Sequence, residues 1–317
     1  ESVNSKINKL ILNLKKNKID NIFISAPENV AWLLNLRGKD NPYSPIPNCQ
    51  IILTKNKKIY FFSSKNKIVK IKNQYPYKNF NFYDFNEFSS LINELPGKYF
   101  SIDSSTCSVF NESIIKSKFI CKSSVDPCYE MKAIKNKIEI KNMINAHIFD
   151  GAALTKFLYW IKKVNKKQIN EVQAQNKLES FRKMNKNYLY PSFDTIAGSG
   201  KNGAIVHYRA KKENCRIIGK KDIFLCDSGG QYEYGTTDVT RTICFSTQKL
   251  CIKNIYTKVL KGHIAVANTD LRLDNTGIKI DKRARKYLNI SNLDYAHGTG
   301  HGVGYFLKQF VYSFVLL

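Results

Sequence analysis

Two aspartates in the second half of the chain stand beside apolar segments. Asp227 follows the segment IFLC at 223–226, and Asp238 lies within TTDVTRTICF at 236–245. Both segments have the composition of β-strands, and residues 228–230 have that of a turn, so we expect an antiparallel pair that places the two carboxylates side by side. Neighbouring carboxylates in apolar surroundings repel each other unless a cation lies between them. Carboxylates are hard oxygen ligands, suited to Mn, Mg or Ca.

Three histidines occur in two glycine-containing segments. YAHGTGHGVGYF at 295–306 carries His297 and His301, and GSGKNGAIVHY at 198–208 presents His207 after an apolar run. Glycines permit close backbone approach and unusual backbone angles. Because imidazole favours transition metals, a set of two aspartates and a histidine suits a dinuclear Mn site better than a calcium site.

The elements that must position these side chains follow from the hydrophobic pattern. Strands and helices alternate over the first part of the chain, which predicts one α/β domain at 1–125. Turn-forming residues at 123–127 predict a linker, and a second domain then covers 126–317. The predicted helices lie at 4–17, 86–95, 130–163 and 169–184, and the predicted strands at 22–26, 51–54, 58–62, 99–103 and 118–122.

Composition bounds the class of protein. The chain has 317 residues and is 43% hydrophobic, which is enough for two compact cores. The net charge of +26 comes from lysines spread along the whole chain, so no nucleic-acid partner is expected. The sequence has no apolar run long enough for a bilayer, so no membrane partner and a cytoplasmic location are expected, although a lost targeting signal stays an open alternative. The first residue is Glu1, which suggests a fragment of a longer chain.

The order of the motifs identifies a family. D-S-G-x-x-Y-x-x-G-T-T-D-V-T-R-T, followed by Y-x-H-G-T-G-H-G-V-G-Y-F, closely resembles the aminopeptidase P branch of the pita-bread metallopeptidases, family M24. That family also contains prolidase, creatinase and methionine aminopeptidase. The resemblance implies an α/β (α+β) fold, in which a creatinase-like N-terminal α/β domain precedes an incomplete pita-bread catalytic domain. On this resemblance we expect the sequence to lack the first of the three domains of the long eukaryotic form. Similar stretches lie at 31–38, 132–136, 192–208 and 259–266.

The resemblance also implies a metal-ligand set. Asp227 matches a ligand of one metal, Asp238 matches the carboxylate that bridges both metals, and His301 matches a ligand of the other metal. Two Mn²⁺ ions per complete site are implied as the cofactor.

The resemblance implies a second set of residues around the substrate. His207 and His297 match active-site histidines that contact the substrate or assist proton transfer, and Arg37 matches a residue facing the substrate pocket. The implied activity is a metallo-aminopeptidase, a hydrolase that releases the N-terminal residue from peptides with proline at the second position, using a hydroxide that bridges two cations. The alternatives are a prolidase, which accepts only Xaa-Pro dipeptides, and a catalytically inactive module that binds peptides or proteins. A homodimer is implied for the full-length form.

The match to the family stops after Leu307. The family continues with Asn-Val-His-Glu-Gly-Pro and later supplies two glutamate ligands, whereas this chain continues with Lys308, Gln309 and Phe310. Phe310 therefore stands where another active-site histidine is expected. We expect this chain to be impaired as a catalyst, and a truncated or misread coding sequence is our hypothesis for its ending.

Overall fold

A computed structural model describes residues 1–74, 79–164, 168–274 and 276–307. The chain divides into two compact units, Glu1–Lys137 and Ile138–Leu317. Both units combine helices with β-sheet. Within the described ranges, no helix has the length and apolar character needed to cross a membrane.

The first unit is built on one six-stranded sheet in the order β4-β3-β2-β1-β5-β6. The predicted hairpin is confirmed, because its two strands pair antiparallel through Ile52 and Tyr60. The sheet is mixed, with parallel pairs on both flanks. Its strands are β1 (Asn21–Ile24), β2 (Gln50–Thr54), β3 (Ile59–Phe62), β4 (Phe80–Tyr83), β5 (Tyr99–Ile102) and β6 (Ile120–Ser123).

Helices cover this sheet through apolar side chains at helical spacing. In the first helix Ile7, Leu10 and Leu14 are all buried, as the sequence pattern predicts. The core includes Phe23 and Phe62, whose ring centres lie 5.0 and 5.3 Å from the ring of Phe88. The helices are α1 (Val3–Lys16), α2 (Pro27–Leu33), α3 (Lys65–Gln74), α4 (Phe88–Glu94), α5 (Val109–Lys116) and α6 (Pro127–Ala133).

The prediction of a single helix at 130–163 is wrong. It is divided into α6 and α7 (Lys137–Lys163), because Ile134 leaves the helical conformation with φ −86° and ψ 101°. Helix α6 begins earlier than predicted, since the side chain of Asp126 caps it by accepting a hydrogen bond from Cys128 N at 2.9 Å. A capping signal inside the predicted linker was the feature that marked this start.

Helix α6 belongs to the first unit. Asn29 Nδ2 donates to Asp126 Oδ2 at 2.6 Å, and Lys132 Nζ donates to Asn29 Oδ1. The backbone amide of Asp126 donates to Asp103 Oδ2 at 2.9 Å. These buried contacts join α6 to the first unit, which ends at Lys137. The domain boundary between residues 125 and 126 stays a prediction.

The second unit contains two antiparallel three-stranded sheets, in the orders β12-β9-β8 and β11-β10-β7. Phe157, Leu178 and Phe224 meet in its core. Beside α7, its helices are α8 (Glu171–Arg182), α9 (Leu250–Ala267) and α10 (Gly277–Asn289), and its strands are β7 (Tyr188–Pro191), β8 (Ile196–Ser199), β9 (Ile223–Ser228), β10 (Gly230–Tyr232), β11 (Gly235–Thr236) and β12 (Val239–Cys244).

Candidate metal centre

Asp227 lies in β9, and Asp238 immediately precedes β12, the strand that pairs antiparallel with β9. Thr240, rather than Asp238, is directly opposite Asp227. Asp238 precedes Thr240 by two residues, and side chains two residues apart in extended chain point to the same face. The two carboxylates are therefore diagonal neighbours, which corrects the expectation that they stand directly side by side.

The connection between the two aspartates is not the simple turn predicted at 228–230. It enters the other sheet as β10 and β11 before it returns to β12. At Gly229 an added Cβ would lie 1.9 Å from Thr237 O and 2.2 Å from Ser192 Oγ. Ser192 Oγ donates to Thr237 O at 2.8 Å, so this close approach is fixed from a third segment. Only glycine fits at position 229, in the connection between the two aspartates.

The charges around Asp227 act on one another. Burial raises the pKa of the Asp227 carboxyl, and a hydrogen bond from Thr240 Oγ1 at 2.8 Å counters part of that rise. The negative charge of Asp238 raises this pKa further, whereas His301 and His207 lower it. One aspartate and two histidines from other segments of the sequence are thus within electrostatic reach of the Asp227 carboxylate.

His301 makes the closest contact in this group. Its Nε2 lies 3.1 Å from Asp238 Oδ2, and both side chains are more than four-fifths buried, at 18% and 16% exposure. The other ring nitrogen, Nδ1, lies 2.9 Å from the carbonyl oxygen of Gly302. Burial lowers the pKa of His301, but the bonds to Asp238 and Gly302 outweigh burial and leave the pKa raised. A proton on Nδ1 shared with Gly302 orients Nε2 toward the carboxylates.

The donors fit a divalent cation in chemistry, and one pair of them also fits in spacing. Two neighbouring ligands at about 2.1 Å from an octahedral ion lie about 3.0 Å apart, which matches the separation of His301 Nε2 and Asp238 Oδ2. Across the ranges that the structure describes, however, no three Asp, Glu, His or Cys side chains converge tightly enough to hold an ion as they stand. Asp238 and His301 form a pair that is already spaced as two ligands of one ion, and Asp227 is the adjacent third donor.

His207 lies on an exposed turn that follows a short 3-10 helix at Gly200–Ala204. Its backbone is left-handed, with φ 54°. Its charge lowers the pKa of Asp227, so the imidazole is near the aspartate pair without being buried among the donors. This arrangement suits a residue that meets substrate rather than metal.

His297 is exposed and lies flat against Tyr295, with ring centres 4.7 Å apart and planes inclined by 28°. Its Nδ1 lies 2.9 Å from the carbonyl oxygen of Gly298. Stacking and this contact restrict the imidazole, which faces solvent as a substrate-contacting group would.

Arg285 of α10 holds the loop that carries His297. Its Nη1 donates to Asp294 Oδ1 at 2.6 Å and to Tyr295 O at 2.8 Å, and its Nη2 donates to His297 O at 2.9 Å. The guanidinium also lies 3.9 Å from the centre of the Tyr295 ring. Asp281, one turn earlier, pairs with Arg285 Nε at 2.9 Å. Neither residue was among those predicted from the sequence, although an acid and a base four residues apart on a helix just before the motif are a usable signal.

A buried ion pair lies beside the end of β9. Arg182 Nε donates to Asp150 Oδ1 at 2.6 Å, and neither side chain is exposed. Arg182 Nη2 also donates to Ser228 Oγ at 3.0 Å, and Tyr232 Oη donates to Asp150 Oδ1 at 2.8 Å. Since Ser228 follows Asp227 directly, this network fixes the strand end from which Asp227 projects.

Two further residues complete the set predicted from the sequence. Arg37 belongs to the first unit, is half-buried, and its Nη1 donates to the carbonyl oxygens of Ala31 at 3.2 Å and Leu36 at 2.8 Å. Its role in substrate binding stays a prediction. Phe310, at the position expected for a further histidine, lies outside the described residues.

Comparison with known families covers nearly the whole chain. A family model described as Metallopeptidase family M24 matches residues 141–313, and one described as Creatinase/Prolidase N-terminal domain matches residues 1–139. A curated protein of Paracoccidioides brasiliensis, named Probable Xaa-Pro aminopeptidase P, is 38% identical over 97% of this chain and 52% of its own length. A protein of Laccaria bicolor with the same name is 39% identical over 93% of this chain and 47% of its own. The chain therefore spans about half the length of the curated relatives it matches.

Solved structures agree with these matches. An X-prolyl aminopeptidase from Caenorhabditis elegans, described as a cytosolic enzyme with a di-nuclear active site, superposes with a TM-score of 0.88 at 30% identity, over 98% of this chain and 52% of that one. A Xaa-Pro dipeptidase from Bacillus anthracis shares the fold, with a TM-score of 0.75 at 22% identity, over 100% and 87% of the two chains. The predicted fold, a creatinase-like α/β domain followed by a pita-bread domain, is confirmed, and the chain belongs to metallopeptidase family M24.

Proposed function

We propose that this chain carries the site of a metal-dependent aminopeptidase that releases the N-terminal residue from peptides with proline at the second position. The observation that carries the proposal is the 3.1 Å contact between His301 and Asp238, with Asp227 in electrostatic contact with both. These residues come from separate segments of the sequence, and such a convergence of largely buried acids and imidazole is typical of a metal centre. The named relatives and the enzyme from C. elegans support the same class of substrate.

The proposed cofactor is a divalent cation, with Mn²⁺ as the first candidate. Asp238 would contact two ions, with Asp227 as a ligand of one and His301 as a ligand of the other. Ions bound there supply a water of lowered pKa, so that hydroxide is available near neutral pH. Thr240, through its bond to Asp227 Oδ1, would hold that carboxylate in one orientation.

The histidines outside the ligand set would act on the peptide. The imidazole of His207 is exposed and close enough to Asp227 to lower its pKa, so it can donate a hydrogen bond to a substrate carbonyl at the aspartate pair. His297, restrained by Tyr295, would contact the substrate or move a proton at a ring nitrogen. Proline at the second position makes the scissile bond a tertiary amide, which has no N–H. A peptidase of this type must therefore bind its substrate without a hydrogen bond from that group.

A prolidase is the second candidate within the same chemistry. The structures named as prolidases or Xaa-Pro dipeptidases match at 20–24% identity, and one named X-Pro aminopeptidase, from Thermotoga maritima, matches at 17%. The enzyme from C. elegans and the curated proteins named Xaa-Pro aminopeptidase P match at 30–39%. The latter range favours release of a residue from longer peptides. We further propose a cytoplasmic location, as described for the enzyme from C. elegans, and a homodimer for the full-length form.

The experiment compares a chromogenic Xaa-Pro-Pro peptide with an Xaa-Pro dipeptide, using this chain and a C-terminally extended form, each with and without Mn²⁺. We expect Mn²⁺ to bind and the tripeptide to be cleaved preferentially, with activity in the extended form. Preference for the dipeptide would instead identify a prolidase. Absence of metal binding in both forms would contradict the proposal and favour a peptide-binding module.

A matched pair of variants assigns the activity to the site. Asp238→Asn removes the charge that contacts His301, whereas Asp270→Asn changes an exposed aspartate paired with Arg272. Loss of Mn²⁺ binding in the first variant and not in the second is expected. Equal binding in both would place the metal elsewhere.

A further inference from the structure

Glu171, the first residue of α8, is fully buried and accepts hydrogen bonds on both carboxylate oxygens. Oε1 accepts from Ser199 N at 2.6 Å and from Asn202 Nδ2 at 3.1 Å. Oε2 accepts from Tyr208 Oη at 2.8 Å and from Arg216 N at 2.9 Å. A buried carboxylate requires such compensation, and here the donors all belong to one loop, residues 199–216.

His207 lies inside this loop in a conformation that the surroundings must impose. A left-handed backbone is unfavourable for a residue with a Cβ and persists only where neighbouring contacts fix it. Tyr208, which follows His207 directly, and Asn202, which precedes it, both bind Glu171. Asn202 Nδ2 also donates to Tyr208 Oη at 2.8 Å, so the two sides of His207 are joined to each other as well.

The carboxylate of Glu171 is not needed to cap its own helix. Asn170 Oδ1 accepts from Gln173 N at 2.8 Å, and Gln173 Oε1 accepts from Asn170 N at 2.9 Å, which completes a capping box. The backbone of Glu171 is held separately, because its N–H donates to Arg216 O at 3.1 Å. The side chain therefore serves the loop rather than the helix.

We propose that Glu171 is the positioning residue for His207, which it keeps in its left-handed conformation beside Asp227 by binding the loop on both sides. The importance of His207 for catalysis rests on the proposed function, whereas the positioning itself does not. Glu171 acts through Asn202 and Tyr208, and it touches neither Asp227 nor its partners in the contacts described above.

The test uses Glu171→Gln, with Glu179→Gln as the matched control. Glu179 is on the same helix and accepts a hydrogen bond from the hydroxyl of Tyr188 at 2.5 Å. This bond does not involve residues 199–216. A glutamine at 171 turns an amide N–H₂ toward donors that need an acceptor, which loosens the loop. The readouts are hydrogen exchange of residues 199–216 and the ¹³C-labelled imidazole signal of His207, assigned by its loss in His207→Asn.

We expect Glu171→Gln to speed exchange in the loop about tenfold and to shift or broaden the His207 signal. The signals of the remaining histidines, and all readouts of Glu179→Gln, should stay as in the unaltered chain. A folded Glu171→Gln protein with unchanged loop exchange and an unchanged His207 signal would overturn the proposal.

A second variant keeps the test decisive if Glu171→Gln does not fold. Tyr208→Phe removes one hydroxyl donor and leaves the charge of Glu171 in place, so a smaller change of the same kind is expected. An unchanged His207 signal in Tyr208→Phe would overturn the proposal as well. Failure of the chain to cleave Xaa-Pro peptides would contradict the proposed function without altering either readout.

Discussion

Gly262 of α9 lies directly against the backbone of Ala284 in α10. A Cβ at position 262 would come within 2.2 Å of Ala284 O, a distance that no side chain tolerates. Gly262 is also the buried residue of α9, so this contact is where the helix meets its neighbour most closely. Because α10 carries Asp281 and Arg285, the contact bears on the loop of His297.

Gly262→Ala is therefore expected to destabilise the second unit. Forcing a methyl group into this contact separates α9 from α10, and overpacking of this kind costs about 1–3 kcal/mol in the free energy of unfolding. Urea unfolding followed by circular dichroism measures the change. Gly151→Ala is the control, because an added Cβ at Gly151 in α7 meets nothing within 4 Å. That variant should gain about 0.5–1 kcal/mol from helix propensity. An equal effect of both substitutions would contradict the packing argument.

The buried pair of Asp150 and Arg182 gives a second prediction. Asp150→Asn or Arg182→Met alone leaves one buried charge without its partner, which costs about 3–5 kcal/mol in the free energy of unfolding. The double variant should cost clearly less than the sum, since neither charge then remains. A double-mutant cycle from urea unfolding measures this coupling. Additive effects of the two substitutions would show that the charges do not act as a pair.

Stability of the first unit should depend on pH through Asp20. Hydrogen bonds from Lys55 Nζ and from the amides of Tyr99 and Lys98 lower the pKa of Asp20 to about 2. Since the folded pKa lies below the ordinary value of 3.8, the contribution is present above pH 4 and is lost as the pH falls toward 2.

Asp20→Asn should accordingly lower the melting temperature at neutral pH and flatten its decline between pH 4 and pH 2. Differential scanning calorimetry across this window measures both effects. Asp270→Asn serves as the control, because the Asp270 carboxyl, although its pKa is lowered by Arg272, belongs to an exposed pair in the second unit. A parallel decline in the melting temperatures of Asp20→Asn and the unaltered chain would exclude Asp20 as the source of this pH dependence.

The sequence predicts elements best where one hydrophobic pattern decides the structure. Ile7, Leu10 and Leu14 fix the buried face of α1, and the hairpin of β2 and β3 follows from two apolar runs around a polar turn. The broken helix at Ile134 could not be predicted this way, because the break depends on buried contacts of α6 with Asn29, far away in sequence.

The candidate site divides along a similar line. Asp238 and His301 could be named from motifs, and the structure brings these two together. The diagonal placement of Asp227 depends on the register of β9 and β12, which the motif alone does not encode. Glu171 and Arg285 were not predicted from the sequence, because each acts through hydrogen bonds to a loop further along the chain.

The loop of His297 and His301 gives the last prediction. Arg285 binds Asp294, Tyr295 and His297 with a planar fork of donors that lysine cannot reproduce. Arg285→Lys should therefore release residues 294–301 and weaken Mn²⁺ binding about tenfold, as loss of a residue that supports a ligand does. Titration monitored by electron paramagnetic resonance of free Mn²⁺ measures the affinity, and hydrogen exchange of the loop gives a readout that needs no metal. Arg272→Lys, at an exposed arginine paired with Asp270, should change neither quantity. Unaltered hydrogen exchange of residues 294–301 in Arg285→Lys would mean that other contacts hold this loop.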